Sequence, residues 1–214
     1  MSLAETFAQV AQLMRDGQAL ESRLSPESLA DAVRHYEQAI ALLRTLPVAQ
    51  LEVRHQLALA AMNRGNALQR QNTPETLDRA VHAYDEAIAF FRTLPLDSLV
   101  DARNSLGAAW MNRGPVFHLK NDPASLVESV RCQQEAISIL STLPLDSHPS
   151  FRLNLAAAWM NQANALLAID EDDRAADAAR ESISIASPGE RQHPALADVA
   201  LKARRARCEA IGRI

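Results

Sequence analysis

Ala108-Ala109-Trp110-Met111-Asn112-Arg113-Gly114 decides the fold, because the chain repeats it. The stretch returns 49 residues later as Ala157-Ala158-Trp159-Met160-Asn161-Gln162-Ala163 and stands 49 residues earlier as Leu59-Ala60-Ala61-Met62-Asn63-Arg64-Gly65. A fainter copy, Gln12-Leu13-Met14-Arg15-Asp16-Gly17, lies a further 48 residues back. Self-similarity at a fixed period of this size marks an array of stacked units, each of which buries its apolar face against the next.

Each unit has a second recurring part. Ser25-Pro26, Thr73-Pro74 and Asp122-Pro123 open three similar stretches, which close on Arg44-Thr45-Leu46-Pro47, Arg92-Thr93-Leu94-Pro95 and Ser141-Thr142-Leu143-Pro144. A Ser, Thr or Asp side chain accepts from an orphan N–H at a helix start, and proline fits the first turn, where it needs no N–H. The closing prolines stop the helix. Between stop and start, Val53, Leu57, Ala60, Ala61, Ala67 and Leu68 recur at helical spacing, as do Val100, Leu106, Ala109, Trp110, Val116 and Phe117.

The chain therefore reads as all-α with two helices per unit. First helices are expected near 3–22, 50–70, 98–119 and 148–168, and second helices near 26–45, 74–93, 123–142 and 172–186. A ninth helix near 194–212 carries the apolar stripe Leu196, Val199, Ala200, Ala203 and Ile211, with Lys202, Arg204, Arg205 and Arg207 elsewhere. That is the pattern of a terminal cap. The expected organisation is a single repeat domain over 1–214, with repeats at about 3–47, 48–95, 96–144 and 145–188 and the cap at about 194–212.

Composition narrows the function classes. Of 214 residues, 48% are hydrophobic and 22% charged, ordinary for a folded chain, and the net charge of −4 offers no electrostatic case for nucleic acid as the main partner. Cys132 and Cys208 form neither a disulfide framework nor a metal-ligand spacing, which suits a reducing compartment. No apolar run reaches the roughly 18–20 residues that span a bilayer, and Met1-Ser2-Leu3-Ala4-Glu5 lacks the basic start of a secretory signal. A cytoplasmic address follows by elimination. No phosphate loop, nucleophile elbow, dinucleotide fingerprint or His-Glu-x-x-His is present. The expectation is a chain without enzymatic activity, metal or cofactor, and without a membrane partner.

The Trp110 and Gly114 pair, followed by Ala80, Tyr84 and Ala87 or Ala32, Tyr36 and Ala39 in second-helix position, resembles the tetratricopeptide repeat (TPR). The resemblance covers roughly residues 8–188 and implies a right-handed α-solenoid of four helical hairpins plus a C-terminal capping helix. The unit here is 48–49 residues, against about 34 in the family. Gly65 to Ala80 is three residues longer than the family spacing, which predicts an enlarged turn between the helices. The remaining dozen or so residues, about three and a third turns, predict longer helices. The family's leucine before the glycine is replaced by Asp16, Arg64, Arg113 and Gln162.

The resemblance further implies that first helices line a concave groove. Asn63, Asn112 and Asn161 would form a ladder there, flanked by Met62, Met111 and Met160, with Arg15 as the fourth rung. An asparagine amide donates to and accepts from a peptide backbone at once, and methionine offers adaptable apolar contact. Arg54, Arg103 and Arg152 form a second row, suited either to acids of a ligand or to acids of the preceding unit. The basic clamp of carboxylate-binding TPR domains is not matched, because Ala108 and Asn112 stand at its positions. Trp110, Trp159, Tyr36 and Tyr84 fall at packing positions. The sequence thus points to a non-catalytic module binding an extended peptide or partner helix. The alternatives are a self-assembling homo-oligomeric scaffold, in which the acidic Asp170–Asp173 loop and the basic last helix could meet between copies, and, below it, a nucleic-acid binder acting through that helix.

Overall fold

The computed structural model describes residues 2–189 and 193–213. The described residues form helices and no strand: α1 (Leu3–Glu21), α2 (Pro26–Arg44), α3 (Leu51–Gln71), α4 (Pro74–Arg92), α5 (Val100–Lys120), α6 (Pro123–Leu140), α7 (Pro149–Leu167), α8 (Asp172–Ala186) and α9 (Pro194–Arg213), with a 3-10 turn at Ser187–Gly189. The bounds agree with those expected from the starts and stops to within two residues. The chain divides into two compact units, Met1–Ser105 and Leu106–Ile214.

The helix starts form as their residues dictate. Ser25 Oγ accepts from Ser28 N–H at 3.1 Å while Ser28 Oγ accepts from Ser25 N–H at 3.1 Å. Thr73 and Thr76 make the same reciprocal pair, and Asp122 accepts from Ser125 N–H at 3.0 Å. Those bonds from Ser125 hold the Asp122 carboxyl below its ordinary pKa. The stops are equally local. The hydroxyls of Thr45, Thr93 and Thr142 donate to the carbonyls of Leu42, Phe90 and Ile139, each at 2.7 Å, so threonine satisfies one orphan acceptor of each ending helix.

The enlarged turn expected between first and second helices is not there. α3 runs past Gly65 to Gln71, leaving only Asn72 and Thr73 before α4, and α5 runs to Lys120, leaving only Asn121 and Asp122 before α6. In α3 the added stretch includes Ala67, Leu68, Gln69 and Arg70, all good helix formers, whereas α5 continues through Pro115 itself. Reversal is then made by a single left-handed residue: Asn72 at φ 53°, Asn121 at φ 55° and Asp170 at φ 58°. Asn and Asp tolerate this conformation best among non-glycine residues. Leu24 takes the same role at φ 58° in the first hairpin.

Within Met1–Ser105, α1 packs on α2, α2 on α3 and α3 on α4. Tyr36, Leu43, Leu57, Leu68, Tyr84 and Phe91 are almost wholly buried there, each contributing about 1.5–3 kcal/mol of apolar burial. Ala58, Ala60, Ala61 and Ala67 are fully buried along α3 and let its neighbours approach closely. Glu37–Arg79 at 3.2 Å and Arg44–Glu86 at 2.6 Å tie α2 to α4, while Glu21–Arg70 at 2.9 Å ties α1 to α3.

Within Leu106–Ile214, α6 packs on α7, α7 on α8, and α9 on both α7 and α8. The covering face of α9 is Leu196, Val199, Ala200, Ala203, Ala206 and Ala210. Ile211, placed on that stripe from the sequence, instead points out at 54% exposure, because the helical phase carries the buried line through Ala210.

Candidate binding surface

The asparagine and methionine rungs share one level of exposure. Met62 and Asn63 on α3, Met111 and Asn112 on α5, and Met160 and Asn161 on α7 are all half-buried, whereas Arg15 on α1 is exposed. Each pair begins two positions after a sealed alanine: Ala60 on α3, Ala109 on α5 and Ala158 on α7 are fully buried. Met160 is partly spent on structure, packing against the cluster of Ala156, Leu196, Val199 and Ala200 under the cap.

Two members of the second row, Arg54 and Arg152, are held by their own chain. Arg54 Nη1 donates to Ala49 O at 3.0 Å, and Arg152 Nη1 donates to Ile185 O at 3.2 Å while its other nitrogen pairs with Asp146. Arg54, Arg103 and Arg152 are all half-buried.

Two of the polar residues that replace the leucine before the glycine, Arg64 and Arg113, join first helix to second. Arg64 pairs with Glu86 at 2.8 Å, and Glu86 also receives Arg44. Arg113 pairs with Glu128 at 2.9 Å, donates to Cys132 Sγ at 3.0 Å, and lies over the rings of Trp110 and Phe117 at 5.4 and 4.7 Å. A flat guanidinium can cover an aromatic face and hold a carboxylate at once. Trp159 packs on the Leu166, Ala175 and Ala179 cluster.

Tyr36 and Tyr84 are fully buried against the glycines of the preceding helix. Tyr36 Oη donates to Glu21 at 3.2 Å, and Tyr84 Oη donates to Asn66 Oδ1 at 2.7 Å or Gln69 Oε1 at 3.0 Å. Burial first, and then the charge of Glu21, push both phenols well above their ordinary pKa, with Arg70 opposing.

No family model and no curated protein matches the sequence. Among solved structures, the crystal structure of nearly identical TPR-like repeats from a Podosopora anserina protein assigned as a kinesin light chain aligns with a TM-score of 0.66. The alignment covers 95% of this chain and 89% of that one at 17% identity. The fold is TPR-like. A de novo designed helical repeat protein also aligns, over 98% of this chain and 96% of its own at 14% identity, but its TM-score of 0.27 carries no weight.

Two features are absent among the described residues. No group of three or more His, Cys, Asp or Glu side chains gathers where a metal ion could sit. No helix is long and apolar enough to cross a membrane. The basic last helix is partly neutralised by neighbours: Lys202 pairs with Asp198 at 2.7 Å, and Arg213 with Glu209 at 2.8 Å, Asp172 at 3.7 Å and Asp170 at 3.8 Å. The acidic loop and the basic helix thus meet within one molecule.

Proposed function

We propose that the chain acts in the cytoplasm as one repeat domain over residues 1–214, with repeats at about 3–47, 48–95, 96–144 and 145–188 and a cap at about 194–212, and that it is a non-catalytic protein-interaction module. Its ligand is an extended peptide or a partner helix received along the first-helix faces. Asn63, Asn112 and Asn161 pair with the ligand backbone, Met62, Met111 and Met160 pack against it, and Arg15 extends the row. Arg54, Arg103 and Arg152 set the first helices in place and offer secondary contacts to acids. The observation that carries this reading is the repeated half-burial of the Met-Asn pair beside sealed alanines. A side chain so placed is preorganised by its neighbours yet reachable, which limits the ordering cost of binding.

The test compares the parent with the Asn63→Ala/Asn112→Ala/Asn161→Ala variant as immobilised bait, after both show the same helicity and melting temperature. A captured protein whose peptide binds the variant more weakly by about 1–3 kcal/mol per lost rung supports the groove. Equal affinity for parent and variant overturns it. Recovery of the chain alone, with a mass that rises with concentration, favours the scaffold, and steeply salt-dependent capture of nucleic acid favours the basic helix.

A further inference from the structure

The third hairpin departs from the first two at two positions that compensate each other. Gln133 stands where Tyr36 and Tyr84 stand in the first two, and Pro115 stands where Asn66 does. Proline has no N–H, so Pro115 inside α5 deprives the carbonyl of Met111 of its helical donor. Gln133 Nε2 supplies the missing bond, donating to Met111 O at 3.0 Å. It does so by lying against Gly114, where a Cβ would come within 2.0 Å of Nε2.

The exchange leaves two things behind. First, the amide oxygen of Gln133 is buried with no hydrogen-bond partner, although the residue is fully inaccessible. Buried polar atoms left in this state are rare and costly. Second, the side chain is too short to fill the tyrosine's place. In the second hairpin Tyr84 spans from Gly65 to Asn66 and Gln69. The equivalents of Asn66 and Gln69 are Pro115 and His118, and both line a cleft of about 350 Å³ with Gln133 in its wall. Asn161 and Asn164 of α7 and Ser129 of α6 add uncharged polar groups to the lining.

We infer that this cleft is a binding site for a primary carboxamide. Gln133 Oε1 asks for an N–H donor, and the amides of Asn161 and Asn164 with the Ser129 hydroxyl can donate to a carbonyl. A carboxamide meets both requirements with one planar group. A charged ligand is disfavoured because the charges at the cleft are already matched. Glu209 and Arg213, which also line it, pair with each other, and Arg213 further donates to Leu167 O at 3.1 Å. The amide comes either from a free small molecule or from a glutamine or asparagine side chain of a bound peptide, and in the second case the inference rests on the groove reading above.

The test titrates the full-length chain with butyramide, with 2-pentanone of the same shape but no N–H, and with the pentapeptide Ala-Ala-Gln-Ala-Ala, following the side-chain amide resonances of Gln133, Asn161 and Asn164. Butyramide should bind saturably and at least tenfold more tightly than the ketone. Pro115→Asn/Gln133→Tyr, which installs the second hairpin's own pair, should fold with the parent's helicity and lose binding at least tenfold. Asn164→Leu, at an exposed position, should weaken binding similarly and serves if the double variant fails to fold. Equal affinity for amide and ketone, or full binding by these variants, overturns the site. A pentapeptide tenfold tighter than butyramide assigns the amide to a peptide, and equal affinity assigns it to a free molecule. Asn63→Ala lies outside the cleft: pentapeptide affinity unchanged in it but lost in the Gln133 variant keeps the site and counts against the groove, and the reverse pattern overturns the site alone.

Discussion

Gly65→Ala and Gly212→Ala are the same substitution in two helices, and the structure sets their signs apart. In an exposed helix the change stabilises by about 0.8–1 kcal/mol through propensity alone, somewhat less near an end. At Gly212 a new Cβ meets nothing within 4 Å, so that gain should appear. At Gly65 it would lie 2.9 Å from Tyr84 Cε1, 3.0 Å from Cζ and 3.1 Å from Cδ1, inside the roughly 3.5–4.0 Å optimum for carbon contacts. The ring has little freedom to yield, because Tyr84 is fully buried and its hydroxyl is engaged by Asn66 and Gln69. Overpacking of this kind costs about 1–3 kcal/mol. The propensity gain is smaller at Gly212, in the last turn of α9, than at Gly65 inside α3, so the difference between the two variants is a lower bound on the overpacking. Urea denaturation followed by helical circular dichroism should place Gly65→Ala below Gly212→Ala by about 1–3 kcal/mol. Equal shifts of the same sign would refute the claim that the glycine is held by the tyrosine.

Three further outcomes are expected. Leu24→Asn should stabilise by about 1 kcal/mol, because an ordinary L-residue strains by roughly 1–2 kcal/mol in the left-handed region and asparagine tolerates it; an unchanged urea midpoint would count against the strain. Thr73→Ala should cost about 1–2 kcal/mol by removing the acceptor for Thr76 N–H at the start of α4, with lower amide-exchange protection confined to that first turn. Alkali should unfold the chain: above the ordinary tyrosine pKa near 10 the unfolded state loses phenolic protons that the folded state keeps, so stability present below that pH falls by about 1.4 kcal/mol per pH unit for each buried tyrosine. Tyr36→Phe/Tyr84→Phe should flatten that slope, and an unchanged slope would sink the assignment.

What the sequence determined by itself was everything that acts over a few residues. Ser25-Pro26 and Thr73-Pro74 cap helices by bonds to residues three places on, and Thr45 and Thr93 close them by bonds three places back, so periodicity and punctuation sufficed to place α1 to α9. The turn between first and second helices was less legible, since Asn72 and Asn121 reverse the chain so tightly that no enlarged turn is needed. Tertiary structure decided the rest, because whether a polar group is satisfied depends on atoms from other helices. Arg64 and Arg113 stand in a repeated register like the asparagines, yet only packing pairs them with Glu86 and Glu128. Gln133 is visible in the sequence as a missing tyrosine. That its amide repairs the helix broken by Pro115, and in doing so leaves an unmet acceptor beside an open cleft, follows only from three helices meeting at one place.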